Sequence, residues 1–157
     1  MTRLYGRAPI GQRVRDSVPA GTWNSTTLVA GVRATGPVAP LALSGAMDGE
    51  IFTVYAGDVL APALQPDDIV VMDNLSSHKN SRARAALEAA GVRILDLPPY
   101  SPDLNPIEKM WSKIKALLRG TKARSFEALV AAIGKALTAV TQEDIRGWFQ
   151  SCGYSFT

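Results

Sequence analysis

The run Ile69-Val70-Val71-Met72, set between the turn Pro66-Asp67-Asp68 and the polar pair Asp73-Asn74, constrains this chain most. Four consecutive apolar residues between turn signals suit a strand buried on both faces, and such strands belong to sheets covered by helices. The next segments complete the unit. Ser81–Ala90 is alanine-rich and reads as a helix that Gly91 is placed to end, and Val92–Leu97 (VRILDL) reads as the next strand. Strand, helix and strand in that order suit parallel pairing. The upstream half differs: Thr26–Arg33 and Val38–Leu43 are consecutive strands joined by Ala34-Thr35-Gly36-Pro37, which suits an antiparallel meander. The expected class is therefore α/β, a mixed sheet flanked by helices. The helices are Glu50–Leu64, with Ile51, Phe52, Tyr55, Val59 and Leu60 at helical spacing, an amphipathic Phe126–Val140, and a short one opened by Thr141-Gln142-Glu143-Asp144. Between them, a helix opened by Asn105-Pro106 carries Ile107, Trp111, Ile114 and Leu118 on one stripe and should stop at Gly120. The first 24 residues read as loop, with a short strand at Val14–Val18.

At 157 residues and 46% apolar, the chain suits one domain over residues 1–157. No apolar run approaches the roughly 18–20 residues of a membrane helix, and Met1–Gly6 has no apolar signal core. Cys152, the only cysteine, leaves no internal disulfide and no cysteine-based zinc cluster, which fits a reducing cytoplasm. His78, the only histidine, excludes a histidine-rich metal site. No Gly-x-Ser-x-Gly and no Gly-x-x-x-x-Gly-Lys loop is present. The net charge of +3 is unevenly spread. Residues 109–124 hold Lys109, Lys113, Lys115, Arg119, Lys122 and Arg124 with no acid; residues 1–15 hold Arg3, Arg7, Arg13 and Arg15, again with none. Two basic zones on an acidic remainder are either solvated faces or a polyanion surface, nucleic acid foremost.

Two carboxylates carry the chemistry. Asp73 comes directly after the apolar strand, and ligands of open α/β sheets sit beyond the carboxyl ends of strands; alternatively Asp73 merely starts a turn with Asn74. Glu108 lies in the first turn of its helix, where capping-box spacing from Asn105 and the helix dipole already account for an acid. The loop before it, Pro98-Pro99-Tyr100-Ser101-Pro102-Asp103-Leu104, is stiffened by proline and suits a helix start held in a fixed place. Glu108 shares a face with Ser112, Lys115 and Arg119, a line able to track a phosphate backbone. Clustered carboxylates at a sheet end suit two Mg²⁺ or Mn²⁺ ions, one activating the attacking water and one the leaving oxygen. His78 is either a solvated loop residue or a contact to the scissile phosphate or to metal-bound water. Trp111, Trp148 and Phe149 suit core better than base stacking, and Cys152 suits a small buried apolar position.

Val70-Val71-Met72-Asp73-Asn74 with His78-Lys79, and then Leu97-Pro98-Pro99-Tyr100-Ser101-Pro102-Asp103-Leu104-Asn105-Pro106-Ile107-Glu108, closely resembles bacterial insertion-sequence transposases of the mariner-like superfamily, the insertion sequence 630 family with its Asp-Asp-Glu endonuclease domain. From 73 to 108 there are 34 intervening residues, the spacing that names one branch of that superfamily. Tyr5-Gly6-Arg7-Ala8-Pro9 and Asp48-Gly49-Glu50 resemble it too. The resemblance implies a ribonuclease-H-like fold, with Asp73 and Glu108 as second and third catalytic, metal-holding carboxylates. Asn74, His78 and Asn105 would support them, and Lys79, Lys109, Lys113, Lys115 and Arg119 would contact DNA. The implied activity is metal-dependent cleavage at transposon ends and strand transfer into target DNA. Implied partners are double-stranded DNA, an upstream transposase portion or full-length transposase, and a second copy in a homodimer, with no membrane; the implied place is the bacterial cytoplasm at the nucleoid.

The front of the chain departs from the family pattern. The first catalytic Asp should end a strand just upstream of a stretch like Arg3–Pro9, and Asp16, the first acid, falls in the wrong element. The expectation is a fragment without the first strand, the first catalytic Asp and the helix-turn-helix region, inactive by itself. The competing expectation is a non-catalytic DNA-binding or dimerising fragment that modulates full-length transposase. A host nuclease on the same fold is disfavoured by the proline-rich block.

Overall fold

The computed structural model describes residues 5–15 and 25–155. Arg3, Asp16 and the latter part of the expected strand Val14–Val18 lie outside them, and residues 5–15 carry no strand. Strands β1 (Thr26–Arg33) and β2 (Gly36–Ser44) form an antiparallel hairpin, in register from Thr26↔Ser44 to Arg33↔Gly36. The ladder shifts between Val29 and Gly31, opposite Ala39 (φ 49°) and Pro40. Pro40 has no N–H to donate, so the pairing bulges there. The Tyr55 hydroxyl donates to the Ala39 carbonyl at 3.0 Å, and burial pushes its pKa well above the usual phenol value.

Helix α1 (Gly49–Val54) is capped by Asp48, whose carboxylate accepts from Ile51 N at 2.8 Å. It runs on as a π-helical turn (Tyr55–Leu60) and a 3₁₀ turn (Ala61–Ala63), so the expected single helix is one stretch in three geometries. Gly49 has a packing reason: a Cβ there would meet Asn80 Nδ2 at 3.1 Å, and that amide donates to the Gly49 carbonyl. Strand β3 (Ile69–Met72), helix α2 (Ser81–Ala89) and strand β4 (Arg93–Asp96) form the expected parallel unit, in register from Ile69↔Arg93 to Met72↔Asp96.

Pairing is mixed and helices flank it, but the described strands make two separate two-stranded ladders rather than one sheet. For the same reason β3 is not buried on both faces: Ile69 is 51% exposed and only Met72 is fully covered. An apolar run reports what its neighbours can cover, and β3 has a ladder on one edge only. The core is accordingly split into two layers. Phe52, Tyr55, Leu60, Met72 and Leu87 build one; Met110, Ile114, Leu118, Ile133 and Ala136 build the other. Strand β1 lies between them, with Val29 against the first and Leu28, Ala30 and Val32 against the second.

Helix α3 (Pro106–Thr121) passes through Gly120 and ends only where Lys122 turns left-handed (φ 49°). A glycine costs a helix about 1 kcal/mol, and burial of Met110, Ile114 and Leu118 beneath the helix offsets it. Met110, fully buried, lies outside the stripe expected from the sequence. Helices α4 (Phe126–Thr138) and α5 (Gln142–Ser151) complete the second layer, with Trp111 and Trp148 half-buried against it. Cys152 is buried.

Thr141 caps α5 in a capping box with Asp144, and Lys113 reaches from α3 to pair with the same carboxylate. The Lys113 ammonium first, then the Thr141 backbone and hydroxyl, hold the Asp144 carboxyl down from 3.8 to about 2. A depressed carboxyl stabilises fully above its unfolded pKa and loses that contribution as pH falls through its folded one. Denaturant midpoints should therefore drop between pH 4 and pH 2, and Asp144→Asn should flatten that limb. Thr141→Ala should cost about 1 kcal/mol at neutral pH.

Candidate active site

The two ladders stand apart across a cleft of about 1000 Å³, lined by all of β1 except its first residue and by β3, with Asp73, His78, Asn105 and Glu108 at its wall. A second hollow of about 410 Å³ opens beside it, and Asp73, Asn74, Lys79, Tyr100, Asn105 and Glu108 line it. Asp73 and Glu108, one from a strand end and one from a helix start, thus border the same two concavities.

Local chemistry explains the meeting. Leu97 N donates to Met72 O at 2.8 Å, and Asn74 Nδ2 donates to Leu97 O at 2.7 Å, so β4 ends beside Asp73. The proline-rich loop leaves from that point and closes in a 3₁₀ turn (Pro102–Leu104) directly before α3. Tyr154 Oη donates to Leu104 O at 3.0 Å and pins the loop from the chain's far end. Tyr100 sits at the loop tip with φ 58°, fully exposed.

Glu108 does not cap its helix. Asn105 makes no side-chain capping bond, and among the described residues the Glu108 carboxylate has no hydrogen-bond or ion-pair partner. Proline at the first helical position removes one N–H that a cap would serve. The capping account of Glu108 therefore does not hold, and the carboxylate stays exposed and available. Nor is Asp73 only a turn residue. It accepts from Leu75 N at 3.2 Å, but the same oxygen, Oδ1, lies 2.7 Å from His78 Nδ1.

His78 is not a solvated loop residue. Its ring packs on Phe52 (centroids 4.5 Å apart), and Nδ1 is buried without completing a hydrogen bond despite its closeness to Asp73. A buried polar atom without a partner costs about 1–3 kcal/mol.

The remaining charges differ in how they are engaged. Lys79, Lys109, Lys115 and Arg119 are exposed, whereas Lys113 is tied to Asp144. Asp96, at the end of β4, has no signal in the sequence because nothing in VRILDL distinguishes it. Arg84 of α2 grips both its oxygens at 2.9 Å and holds its carboxyl below the usual range, with Lys79 and His78 adding smaller pulls. That pair engages Asp96 structurally. Asp48 also borders the cleft but is spent on capping α1.

An exposed carboxylate, a half-exposed one, an amide and an imidazole nitrogen fit a hard divalent cation, which prefers oxygen donors. They fit it incompletely: among the described residues no three acid, histidine or cysteine side chains converge as a metal cluster. No helix among those residues is long and apolar enough to cross a membrane.

Known proteins resemble this chain in sequence and in fold. It is 34% identical over 68 residues to the transposable element Tc1 transposase of Caenorhabditis elegans, a match covering 43% of this chain and 25% of that protein. It is 24% identical over 157 residues to the Tcb1 transposase of Caenorhabditis briggsae, covering 92% of this chain and 56% of the relative. Among solved structures, the Mos1 strand transfer complex superposes with a TM-score of 0.73 at 21% identity, over 99% of this chain and 51% of that one. The Mos1 transposase catalytic domain with raltegravir and Mn gives 0.65 at 18% identity, over 85% of this chain and 83% of that one. The fold is thus ribonuclease-H-like, and the chain spans about half the length or less of the curated relatives it matches. The family model for the DDE superfamily endonuclease matches residues 1–130, and the chain belongs to that family.

Proposed function

We propose that residues 1–157 form one partial catalytic domain of a DNA transposase of the insertion sequence 630 type, acting on transposon ends and target DNA in the bacterial cytoplasm. The observation that carries this reading is the meeting on one concave wall of Asp73 and Glu108, which have 34 residues between them. Asp73 and Glu108 would hold Mg²⁺ or Mn²⁺, and the bound ions would supply Lewis-acid chemistry for phosphoryl displacement. That two Mos1 structures contain Mn supports the choice of a hard divalent ion. In this reading His78 orients Asp73 through Nδ1 while Phe52 fixes the ring. Asn74 fixes the β4 end against the β3 end, and Asn105 presents its amide beside Glu108.

Lys79, Lys109, Lys115 and Arg119 track the DNA backbone, and Lys113 contributes less because Asp144 already holds it. Binding should be weak and indifferent to sequence, with log K falling against log salt at a slope of roughly −3 to −4 if three or four phosphates are neutralised. Fluorescence anisotropy with a labelled duplex measures it. Lys115→Ala and Arg119→Ala should each reduce the slope by about one, and Lys113→Ala by less. A slope near zero would remove the basic face from the reading.

A second reading, a DNA-binding or dimerising fragment that modulates full-length transposase, draws on the same basic face and on the incomplete cluster. Mixing the chain with full-length transposase separates the two. A modulator lowers transposition in proportion to its amount even with Asp73→Asn in place.

A further inference from the structure

Glu108 sits in a helix turn that its own N-cap does not hold, since Asn105 makes no side-chain capping bond. The backbone hydrogen bonds there, from Leu104 N to Ser101 O, Asn105 N to Pro102 O and Glu108 N to Asn105 O, each span three positions. They shape the turn without fixing it to the rest of the protein. Helix α5 supplies that fixture. Its first turn offers Asp144 to Lys113, and the turn after it offers the Tyr154 hydroxyl, which donates to Leu104 O at 3.0 Å. The two ties are nine positions apart on one side and ten on the other, in opposite order. The segment from Asp144 to Tyr154 therefore lies antiparallel to the start of α3, and Glu108 falls between the ties.

We infer that α5 splints the first turn of α3, and that Tyr154 is the positioning residue that sets where Glu108 stands against Asp73. Gly153 makes the reach possible. Its φ of 87° is left-handed, which suits a residue without Cβ. It turns the chain so that Tyr154 N donates back to Phe149 O at 3.0 Å. The Tyr154 ring then meets the Phe149 ring edge-on, centroids 5.6 Å apart, and both residues border the cleft beside Asn105 and Glu108. Burial raises the phenol pKa, so the hydroxyl remains a donor across the neutral range. The two ties differ in consequence. Met110, fully buried, stands between Glu108 and Lys113, and buried Ile145 and Cys152 seat α5 with or without Asp144. Of the two ties, Tyr154's lies on Glu108's side of Met110. Helix ends open at free energies near zero, so one hydrogen bond there decides how much of the time Glu108 is in place. An ion shared with Asp73 binds more weakly in proportion to the time Glu108 is displaced. The metal part rests on the reading that Asp73 and Glu108 share an ion; the splint rests on the two ties.

The test is Tyr154→Phe in the full chain, which removes the hydroxyl and keeps the ring on Phe149. Amide exchange at Leu104, Asn105 and Glu108 should quicken about fivefold, the factor that one hydrogen bond of ordinary strength represents, while Ile114, Leu118 and α4 stay unchanged. The Mn²⁺ dissociation constant, measured by calorimetry, should rise at least about twofold, and Tyr154→Ala should raise it further. Asp144→Asn should change neither reading. Unaltered exchange at those three amides in Tyr154→Phe overturns the splint. Faster exchange spread over α4 and α5 does so too, since Tyr154 would then hold the fold rather than one turn. Local quickening with unaltered Mn²⁺ affinity, where Asp73→Asn abolishes Mn²⁺ binding, overturns the positioning role. Local quickening with an Mn²⁺ affinity indifferent to Asp73→Asn sinks the catalytic-site reading while the splint stands.

Discussion

Replacing Asp73 by Asn should abolish the stabilisation that Mn²⁺ gives this chain. In the unaltered protein, a metal concentration tenfold above Kd stabilises by about 1.4 kcal/mol through mass action, which for a domain of this size raises Tm by roughly 3–6 °C. With two carboxylates in place of a full set, the dissociation constant should be high, so the titration must extend into the millimolar range. Asp73→Asn removes one of the two anionic ligands, and Glu108→Gln the other; each should flatten the melting response. Neither should unfold the protein, since both side chains reach solvent. The control is Asp144→Asn, an acid of similar exposure engaged with Lys113 on α3, which should leave the metal response intact. Salt-dependent DNA binding should survive in Asp73→Asn or tighten slightly, because a negative charge is lost beside the phosphate path. A metal response that persists in both site variants would show that the ion sits elsewhere.

Much of this site is legible in the sequence because its parts are local. The strand ending at Asp73, the helix starting at Asn105-Pro106 and the proline-rich approach are each written within about ten residues, and the fixed spacing between the carboxylates joins them. What escapes is non-local. Nothing near Glu108 tells that its capping partner Asn105 would leave it free, or that Lys113, one of a uniform basic run, would be claimed by Asp144 from another helix. His78 reads as a polar loop residue because its cover, the Phe52 ring, lies 26 positions away in α1. Hydrophobic pattern alone does not show the break between the ladders, although the resemblance leads to the expectation of a chain without the first strand. Hydrophobic pattern reports that β3 wants both faces covered, but not whether a strand lies on its second edge.

The chain by itself should not cut duplex DNA at a useful rate in Mg²⁺. Phosphodiester hydrolysis without catalysis is extremely slow, so nearly all the rate must come from placing charge and reactants. Among the described residues the site offers Asp73 and Glu108 as free acids, with Asp48 and Asp96 committed to a cap and to Arg84. Misplacement of a reacting group by about 1 Å costs on the order of a hundredfold, and on the proposed reading two free acids anchor fewer groups than the three a full set would supply. A chain extended upstream by a family-like strand ending in Asp should therefore cleave transposon-end duplexes at least about a hundred times faster, as read by strand nicking on a denaturing gel. Changing that added Asp to Asn should remove the cleavage and keep the gain in melting temperature, because the strand still pairs. Changing Glu108 to Gln in the extended chain should remove cleavage equally. Equal nicking by the 157-residue chain and the extended one would mean that its own residues complete the site. An extended chain that melts higher but cuts no faster, with Asp73 and Glu108 intact, would mean that these two carboxylates are not where phosphodiester bonds are broken.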